Sequence, residues 1–550
     1  MLQPVFEESI FKKIVDIKLN VMKKIVCLVA SVLFLSGASA FAQGEMDAYK
    51  YSLGDLNGTA RYLGMGGAFG ALGGDASAMS SNPAGLGIYR SSEVVGTLSL
   101  SSIDTKSDWN GNVSKDDKSK LSFDNFSYVG YFPTANESGI MSWNIGLSYN
   151  RLKNFNRNYR LSGSQAYSLA DYAADISYGI PENDLIYVKD SYDPYNNPNN
   201  PWMSVLGYEG GYFGSFPNDR SNYHSGFGTM DATGTIWYAD SPQNTTLNVS
   251  EKGAVDQYNF AFATNISNSV FLGATLAVTD INYSISTKYD ERFEGGDYLY
   301  LDNGLSTEGT GYSFNLGAIV RPVDFLRMGV AYNSPTWYKM TDYFHAEAGT
   351  DIAQYNPSKM DASTPDKVYA DYKLRTPDKW IFSAAAVIGQ YGLLSVDYEL
   401  TNFKGMRLKD VNDREMDANN FIKEDFGSSG LLKVGGEFKV TPQFAVRAGA
   451  GWQSSPVKTA LKNGDVEVIT AGTLPHYTVD KGSDYITVGL GYRFTPNFYA
   501  DLACVYKTYK EDAFTFSRTF LDNGDIMVDS DAISLKTNTT RVALTLGYKF

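Results

Sequence analysis

From Glu93 to the C-terminus, apolar and polar or small residues alternate with period two. Val542, Leu544, Leu546, Tyr548 and Phe550 interleave with Arg541, Ala543, Thr545, Gly547 and Lys549. Ile486, Val488, Leu490, Tyr492 and Phe494 interleave with Thr487, Gly489, Gly491 and Arg493. The same pattern sets Leu394, Val396, Tyr398 and Leu400 against Ser395, Asp397 and Glu399, and Tyr312, Phe314, Leu316, Ala318 and Val320 against Ser313, Asn315 and Gly317. Strict alternation marks a strand with one apolar face, and about ten residues is the length of a tilted strand crossing a bilayer.

The connections separate a membrane barrel from a soluble sandwich. Asn268-Ser269, Pro322-Val323-Asp324, Tyr391-Gly392, Thr441-Pro442-Gln443 and Thr495-Pro496-Asn497 are very short. The connections at 105–119, 155–254, 292–306, 346–365, 405–427, 457–482 and 512–534 are long and polar. Short and long alternate, as do periplasmic turns and extracellular loops in outer-membrane barrels. The pattern predicts 14 strands, at 93–104, 120–133, 141–154, 255–267, 270–290, 308–321, 325–345, 367–390, 393–404, 429–440, 444–456, 484–494, 498–511 and 537–550. The even count returns the chain to the side on which the barrel begins. Pro377 should interrupt the eighth of these strands, because it cannot donate to a ladder. Asn303-Gly304, Asn463-Gly464 and Asn523-Gly524 are hairpin signals, so several loops are expected to extend as ribbons. Ser168–Ser177 has helical spacing. The polar alternates expected to point into the lumen are Asn144, Asn150, Asn259, Asn315, Arg321, Asp397, Glu399, Arg447, Arg493, Asp501 and Arg541. Cys504 falls on a lipid-facing alternate.

The N-terminus adds the compartment. Met22-Lys23-Lys24, the apolar run Ile25–Leu35 and Ala40-Phe41-Ala42 form the three parts of a secretory signal at 22–42, with mature protein starting at Gln43. Residues 1–21 look unlike any part of it and are expected to be a mis-called upstream extension. Cys27 lies inside the signal, which leaves one cysteine and no intrachain disulfide. A net charge of -14 opposes nucleic-acid binding. Three histidines and no Cys-x-x-Cys or His-x-x-x-His spacing offer no metal or cofactor site, and no G-x-S-x-G nucleophile motif occurs. The run Asp190-Ser-Tyr-Asp193-Pro-Tyr-Asn196-Asn197 clusters oxygen side chains, but its spacing is not an EF-hand loop. The residues point to no enzyme chemistry.

Residues 43–92 differ from everything after them. Arg61-Tyr-Leu-Gly-Met-Gly-Gly-Ala-Phe-Gly-Ala-Leu-Gly-Gly-Asp-Ala-Ser-Ala-Met-Ser-Ser-Asn-Pro-Ala-Gly-Leu-Gly87 is rich in Gly, Ala and Ser and lacks alternation. Asp75 can cap one helical turn, and Pro83 disfavours a helical Asn82. A barrel of this size is too wide for side chains alone to fill, so 43–92 is expected to be a plug ahead of the barrel at 93–550. Asn82-Pro83-Ala84 should lie near the start of strand one, with Ala84 and Gly85 letting the plug backbone approach the wall.

This run resembles the hatch signature of the FadL/TodX family, outer-membrane transporters of long-chain fatty acids and aromatic hydrocarbons. The matching positions are Gly66, Gly67, Ala68, Phe69, Ala71, Asp75, Ala76, Ser77, Ala78, Asn82, Pro83, Ala84, Gly85 and Leu86. The strand count and Phe550, which resembles a C-terminal signal for the barrel-assembly machinery, extend the likeness over the mature chain. The departure is the long loop at 155–254. The resemblance implies an all-β transmembrane barrel in the bacterial outer membrane, crossing it many times. It also implies a hatch in which Gly66, Gly67, Phe69, Asp75, Asn82, Pro83, Ala84 and Gly85 act in gating, passive uptake of a hydrophobic small molecule, and exit through a gap in the wall. No cofactor is implied, and the barrel is expected to act as a monomer. A surface-exposed structural or adhesive barrel and a haem receptor of the same fold remain alternatives.

Overall fold

The computed structural model describes residues 44–550 apart from 198, 234–235, 356–357, 366–367 and 522. The expected extension, signal, Cys27 and Gln43 lie outside the described residues. Among the described residues, 14 antiparallel strands close into one barrel. They are β1 (Glu93–Trp109), β2 (Asn112–Pro133), β3 (Ile140–Asn154), β4 (Asn244–Ile266), β5 (Val270–Arg292) and β6 (Tyr298–Val323). Three broken strands follow: β7 (Leu326–Asn333 and Trp337–Asp351), β8 (Val368–Arg375 and Lys379–Ile388) and β9 (Gly392–Asn402 and Arg407–Asp410). The barrel ends with β10 (Ser428–Lys439), β11 (Phe444–Gln453), β12 (Tyr477–Arg493), β13 (Phe498–Phe514) and β14 (Ile533–Lys549). β1 pairs with β14 from Glu93 opposite Lys549 to Asp108 opposite Ser534, so the sheet has no open edge. The N–H of Phe550 donates to Ser92 O at 3.0 Å and fastens the C-terminus to this seam.

The alternation sorts residues as expected. On β14, Val542, Leu544, Leu546 and Tyr548 face outward and are exposed, whereas Ala543 and Thr545 are buried inside. Tyr, Trp and Phe flank this apolar band. Cys504 sits half-buried on the outward alternate, between exposed Leu502 and Tyr506. Nine of the eleven lumen residues expected from sequence are buried inside; Arg321 and Arg493 instead lie at the rim, where their strands meet the short turns. At one such turn Ser267 and Asn268 both have positive φ, 52° and 54°, as a type I′ hairpin requires.

The breaks in β7, β8 and β9 lie side by side and form a crease across three strands. The cause of two of them is readable: Pro335 and Pro377 lack the N–H that a ladder needs. Across the crease, the N–H of Thr336 donates to Thr376 Oγ1 at 2.8 Å and the N–H of Thr376 to Thr336 O at 3.1 Å. The break at Pro377 agrees with expectation, whereas those at Pro335 and at 403–406 were not foreseen.

The long connections are not a set of independent ribbons. Asn303-Gly304 runs straight through β6, paired with Thr287 and Ser286 on β5, and Gly464 instead ends a short helix, Thr459–Asn463. Only Asn523-Gly524 turns a hairpin, between Thr519–Phe520 and Ile526–Val528. The loops fold together into a cap with its own apolar core. Helix α1 (Leu169–Asp175) is opened by a Ser168/Asp171 capping box, so the expected loop helix is present but shorter. It packs with α2 (Trp202–Glu209); Tyr172 of α1 stacks on Phe516, and Trp202 of α2 meets Phe344 of β7 edge to face. A fully buried Phe such as Phe516 contributes roughly 1.5–3 kcal/mol to this packing.

The cap places Lys189 on the exposed surface, whereas Lys439 and Arg493 stand at the opposite, short-turn end. Trypsin added to intact cells should cut after Lys189 and reach Lys439 or Arg493 only once the outer membrane is permeabilised. Mass mapping of the fragments reads this, and cleavage at Arg493 alone in intact cells would invert the orientation.

Candidate functional site

The chain before β1 fills the barrel. It begins with the helix Glu45–Ser52 high in the lumen, under the cap. Tyr49 stacks on Phe426 with ring centroids 5.1 Å apart and donates its hydroxyl to Asp480, while Tyr51 shares a 2.7 Å hydrogen bond with Thr307 on β6. The chain then descends through residues 53–58 to the short helix Ala60–Gly64, capped by Thr59. Asp75 caps the next turn, a 3-10 helix at Ala76–Met79, by accepting from the N–H of Ser77 at 2.9 Å. It also accepts from Thr59 Oγ1 at 2.8 Å and so ties two turns of the hatch together. Asn82 accepts from the N–H of Ala84 at 3.2 Å and starts a second 3-10 helix, Pro83–Ile88, with Pro83 at its first position. Asn82-Pro83 therefore starts a turn as well as ending one.

Hatch and wall meet backbone to backbone. A Cβ on Gly273 of β5 would stand 2.3 Å from the carbonyl carbon of Pro83, and one on Gly317 of β6 would stand 1.9 Å from Asn82 Oδ1. A Cβ on Gly449 of β11 would lie 2.4 Å from the Gly66 nitrogen. Glycine inside a strand commonly marks such an approach. Asn82-Pro83-Ala84 thus docks on β5 and β6 rather than near the start of strand one. The room comes from glycines of the wall, because Gly85 packs inside the hatch on Gly73 and Ala78. Gly66 and Gly67 have φ of 62° and 73°, which a side chain would strain, and they turn the hatch chain back beneath Tyr62.

Polar side chains of the wall satisfy the hatch backbone. Asp397 of β9 accepts from the N–H groups of Phe69 and Gly70 at 3.0 and 2.8 Å. Asn144, Thr275 and Arg327 donate to the carbonyls of Leu86, Met79 and Leu72, and Tyr485 and Thr487 donate to those of Gly66 and Gly64. Arg61 of the hatch donates to Glu437 at 3.0 Å; Glu437 also holds Arg447 at 2.7 Å, and Arg447 reaches Asp501 at 2.6 Å. This chain of charges crosses from hatch to wall. The sequence marks Asn144, Asp397, Arg447 and Asp501 as lumen residues but not their partners, because pairing depends on register between distant strands.

Two cavities lie above the hatch. The upper one, about 150 Å³, is lined by apolar residues that include Leu53, Ile103, Phe155, Ile285, Leu474 and Val505. Its charged residues pair among themselves. Arg157 bridges Glu251 and Glu511, and Asp55 holds Lys153 at 3.4 Å and Lys507 at 3.2 Å. Lys50 reaches Tyr283 at 3.2 Å and Asp47 at 3.8 Å, and Arg541 bonds Leu56 O, Ser101 and Asn57. No described cation in this lining is left without an acceptor. The lower cavity, about 260 Å³, is lined largely by Ser, Asn, Gln and Thr, among them Ser80, Asn150, Gln257 and Asn333. Leu53, Asp55 and Leu56 line both cavities and form the partition.

The wall beside the upper cavity is not a uniform ladder. β2 pairs with β3 only from Asn125 opposite Asn150 to Pro133 opposite Ser142. Asp124 is skipped in the register between β1 and β2 and is turned inside. Beyond Asn154 the chain bends inward. Its continuation, Arg157–Gly163, pairs with β4 and meets β1 through side chains, with Thr105 and Ser107 donating to Asn158 O and Arg160 O. The seam between β2 and β3 is therefore closed above Asn125 by side chains, not by a backbone ladder.

Of the expected hatch residues, Gly66 meets β10 and β11 and Phe69 meets β9; Asn82, Pro83 and Ala84 meet β5 and β6; Gly67, Asp75 and Gly85 work within the hatch. Sequence reasoning missed the buried helix Glu45–Ser52, which carries no strong helical periodicity. It also missed the wall glycines, although Gly273, Gly317, Gly435, Gly449 and Gly489 all fall on inward alternates of their strands and could have been read as a docking strip. The Asp190–Asn197 run includes a 3-10 turn of the cap, Pro194–Asn196, with Pro194 and Tyr195 buried, and no group of three metal-ligating residues is found among the described residues.

Residues 299–550 match the family described as outer membrane protein transport protein (OMPP1/FadL/TodX). No curated protein matches the chain. Among solved structures, a FadL homologue from Pseudomonas aeruginosa is 14% identical, with 91% of this chain and 100% of that one covered and a TM-score of 0.51. The toluene transporter TodX of Pseudomonas putida is 12% identical with a TM-score of 0.46, covering 91% of this chain and 100% of its own. The toluene transporter TbuX of Ralstonia pickettii is 11% identical with a TM-score of 0.45, covering 90% of this chain and 99% of its own. Residues 299–550 thus carry the sequence pattern of the OMPP1/FadL/TodX outer-membrane transport family, and the barrel as a whole shares the fold of the solved FadL homologue.

Proposed function

We propose that this barrel takes up compact, uncharged hydrophobic molecules without energy input and carries out no covalent chemistry. The observation that carries this reading is the upper cavity: apolar walls between cap and hatch, with every lining cation already engaged. A ligand carboxylate would have to break one of those pairs, whereas an uncharged ring need break none. A volume of about 150 Å³ suits one aromatic ring or a short alkyl segment. A long acyl chain would have to thread the partition at Leu53–Leu56 into the lower cavity. A haem macrocycle is larger than the upper cavity, which disfavours the haem alternative. That the solved relatives include toluene transporters supports an aromatic substrate class.

The route follows from the same geometry. The ligand enters through the cap and settles against Ile103 and Phe155. It leaves sideways through the seam above Asn125, or downward when the hatch shifts. The downward route needs the hatch to be held by contacts that can be lost singly, and a gate of this kind belongs to the less stable parts of a structure.

Two results would test this. Ile103→Trp places an indole in the upper cavity from an inward position of β1. It should abolish uptake of radiolabelled toluene by whole cells while the barrel keeps its heat-modifiable mobility on gels, and unchanged uptake would exclude this cavity as the site. Glu437→Gln removes the negative charge that Arg61 and Arg447 share. Breaking a buried pair costs about 3–5 kcal/mol, so the hatch should detach more often and single channels in planar bilayers should show frequent large openings absent from the parent. Conductance identical to the parent would mean that this charge chain does not hold the gate.

A further inference from the structure

The outer face of the barrel carries an arrangement that strand pairing by itself disfavours. Just above the crease, Lys339 of β7 lies opposite Lys373 of β8, and Lys373 lies opposite Lys409 of β9. One row lower, Arg375 of β8 lies opposite Arg407 of β9, with Trp337 of β7 completing the row. The alternate positions Tyr338, Leu374 and Leu408 are buried inside, so the five cations share the outward face. Neighbouring strands stand about 4.8 Å apart and alternate residues about 7 Å apart along a strand, so the five fall within roughly 10 by 7 Å. Like charges directly opposite one another destabilise a sheet.

The protein neutralises this face only in part. Lys373 pairs with Asp413 at 2.8 Å and Lys409 with Glu415 at 3.5 Å, both acids coming from the loop above β9. Among the described residues, Lys339, Arg375 and Arg407 have no acidic partner. Arg375 donates to Gly405 O at 3.3 Å, and Arg407 to the carbonyls of Lys404 and Met406 at 2.9 and 2.6 Å. Other acids of this face are engaged elsewhere: Asp371 accepts from Thr341, Asp280 accepts from Thr310, and Asp410 pairs with Arg414. Asp378, in the crease below, makes an ion pair with neither arginine. A second row gives the contrast. At the barrel seam, Lys115, Lys106, Lys536 and Lys510 stand opposite one another across β2, β1, β14 and β13, with Asp117 and Asp104 in the next row. That row has counter-charges beside it, whereas three cations on β7, β8 and β9 have none.

The depth of the patch says what supplies the missing anion. Directly beneath it, Tyr332, Trp380 and Leu400 lie opposite one another across β7, β8 and β9. The Tyr332 and Trp380 rings are 4.9 Å apart, and Trp337 stacks on Phe314 at 6.4 Å. Outward Trp and Tyr of this kind form the girdle at the boundary between hydrocarbon and headgroups. Cations one row above the girdle, on the cap side, stand among the headgroups of the outer leaflet. Guanidinium groups there match phosphate oxygens with paired N–H donors. We propose that Lys339, Arg375 and Arg407 bind the phosphorylated headgroup of an outer-leaflet lipid, whose acyl chains lie along Tyr332, Trp380 and Phe382. Such a lipid covers the crease from outside, at the place where three adjacent strands break together.

The test uses the full protein purified from outer membranes in mild detergent. A synthetic bis-phosphorylated lipid A of distinct acyl mass is added, so that copurified lipid is told apart, and native mass spectrometry counts the bound lipid. A cation near an anionic lipid surface contributes roughly fivefold in affinity. Lys339→Gln with Arg375→Gln and Arg407→Gln should therefore weaken binding roughly hundredfold. The triple variant Lys106→Gln, Lys115→Gln and Lys536→Gln changes net charge equally and should bind like the parent. Arg375→Gln with Arg407→Gln should weaken binding about 25-fold and serves if the first triple variant fails to assemble. Dephosphorylated lipid A should bind the parent no better than it binds the weakened variants. Parent-like binding by the variants on β7, β8 and β9, an equal loss in the seam variant, or equal binding of the dephosphorylated lipid would each overturn the proposal. Displacement of the lipid by inorganic diphosphate at the same concentration would overturn it too and assign the patch to a soluble anion.

Discussion

Closure of the backbone hydrogen-bond ladder is the constraint on which the rest of this structure depends. A bilayer offers no water to an unpaired N–H or C=O, so a sheet can cross it only without edges. The pairing of β1 with β14 along their whole length meets that requirement. Fourteen strands, however, enclose a space wider than their own side chains can fill. The N-terminal segment, the wall glycines and the ring of inward polar residues all answer this second problem. The hatch has carbonyls and N–H groups of its own to satisfy, and Asn144, Thr275, Asp397, Tyr485 and Thr487 satisfy them from the wall.

Where the ladder is incomplete, side chains take over. At the seam between β2 and β3 the bond from Lys118 Nζ to Asn158 Oδ1, 3.1 Å, stands where rungs would be. Side chains rotate at small cost whereas a ladder opens cooperatively, so this is the part of the wall best suited to opening. The cap serves a complementary purpose. Its aromatic core roofs a cavity that would otherwise be open water. The loop at 155–254 provides the helices α1 and α2 of that core and is thus part of the roof rather than an appendage.

Several charge pairs inside the barrel join the hatch to the wall. Asp55 links the descending hatch chain to Lys153 on β3 and Lys507 on β13. Arg61 links the lower hatch to Glu437 on β10. Truncating one partner of such a pair leaves a buried charge unpaired, which is why single substitutions should act on the hatch while the barrel, held by its ladders, stays assembled.

Much of this was legible in the sequence. Period two gave the strands and their lipid and lumen faces, short and long connections gave the topology, and Asp75 announced its own cap, because all of these are set within a few residues. Three-dimensional packing decided the rest. Asn303-Gly304 has the chemistry of a turn, yet the strands on either side of it hold it extended, since a ladder with two neighbours outweighs a local preference. Nothing local distinguishes Arg321 from Arg447, but one ends at a turn and the other faces Glu437. The docking of Asn82-Pro83 on β5 and β6, the pairing of Arg61 with Glu437 and the cavity under the cap join residues hundreds of positions apart. Their positions follow from how strands close around a barrel, and no short stretch of sequence encodes that.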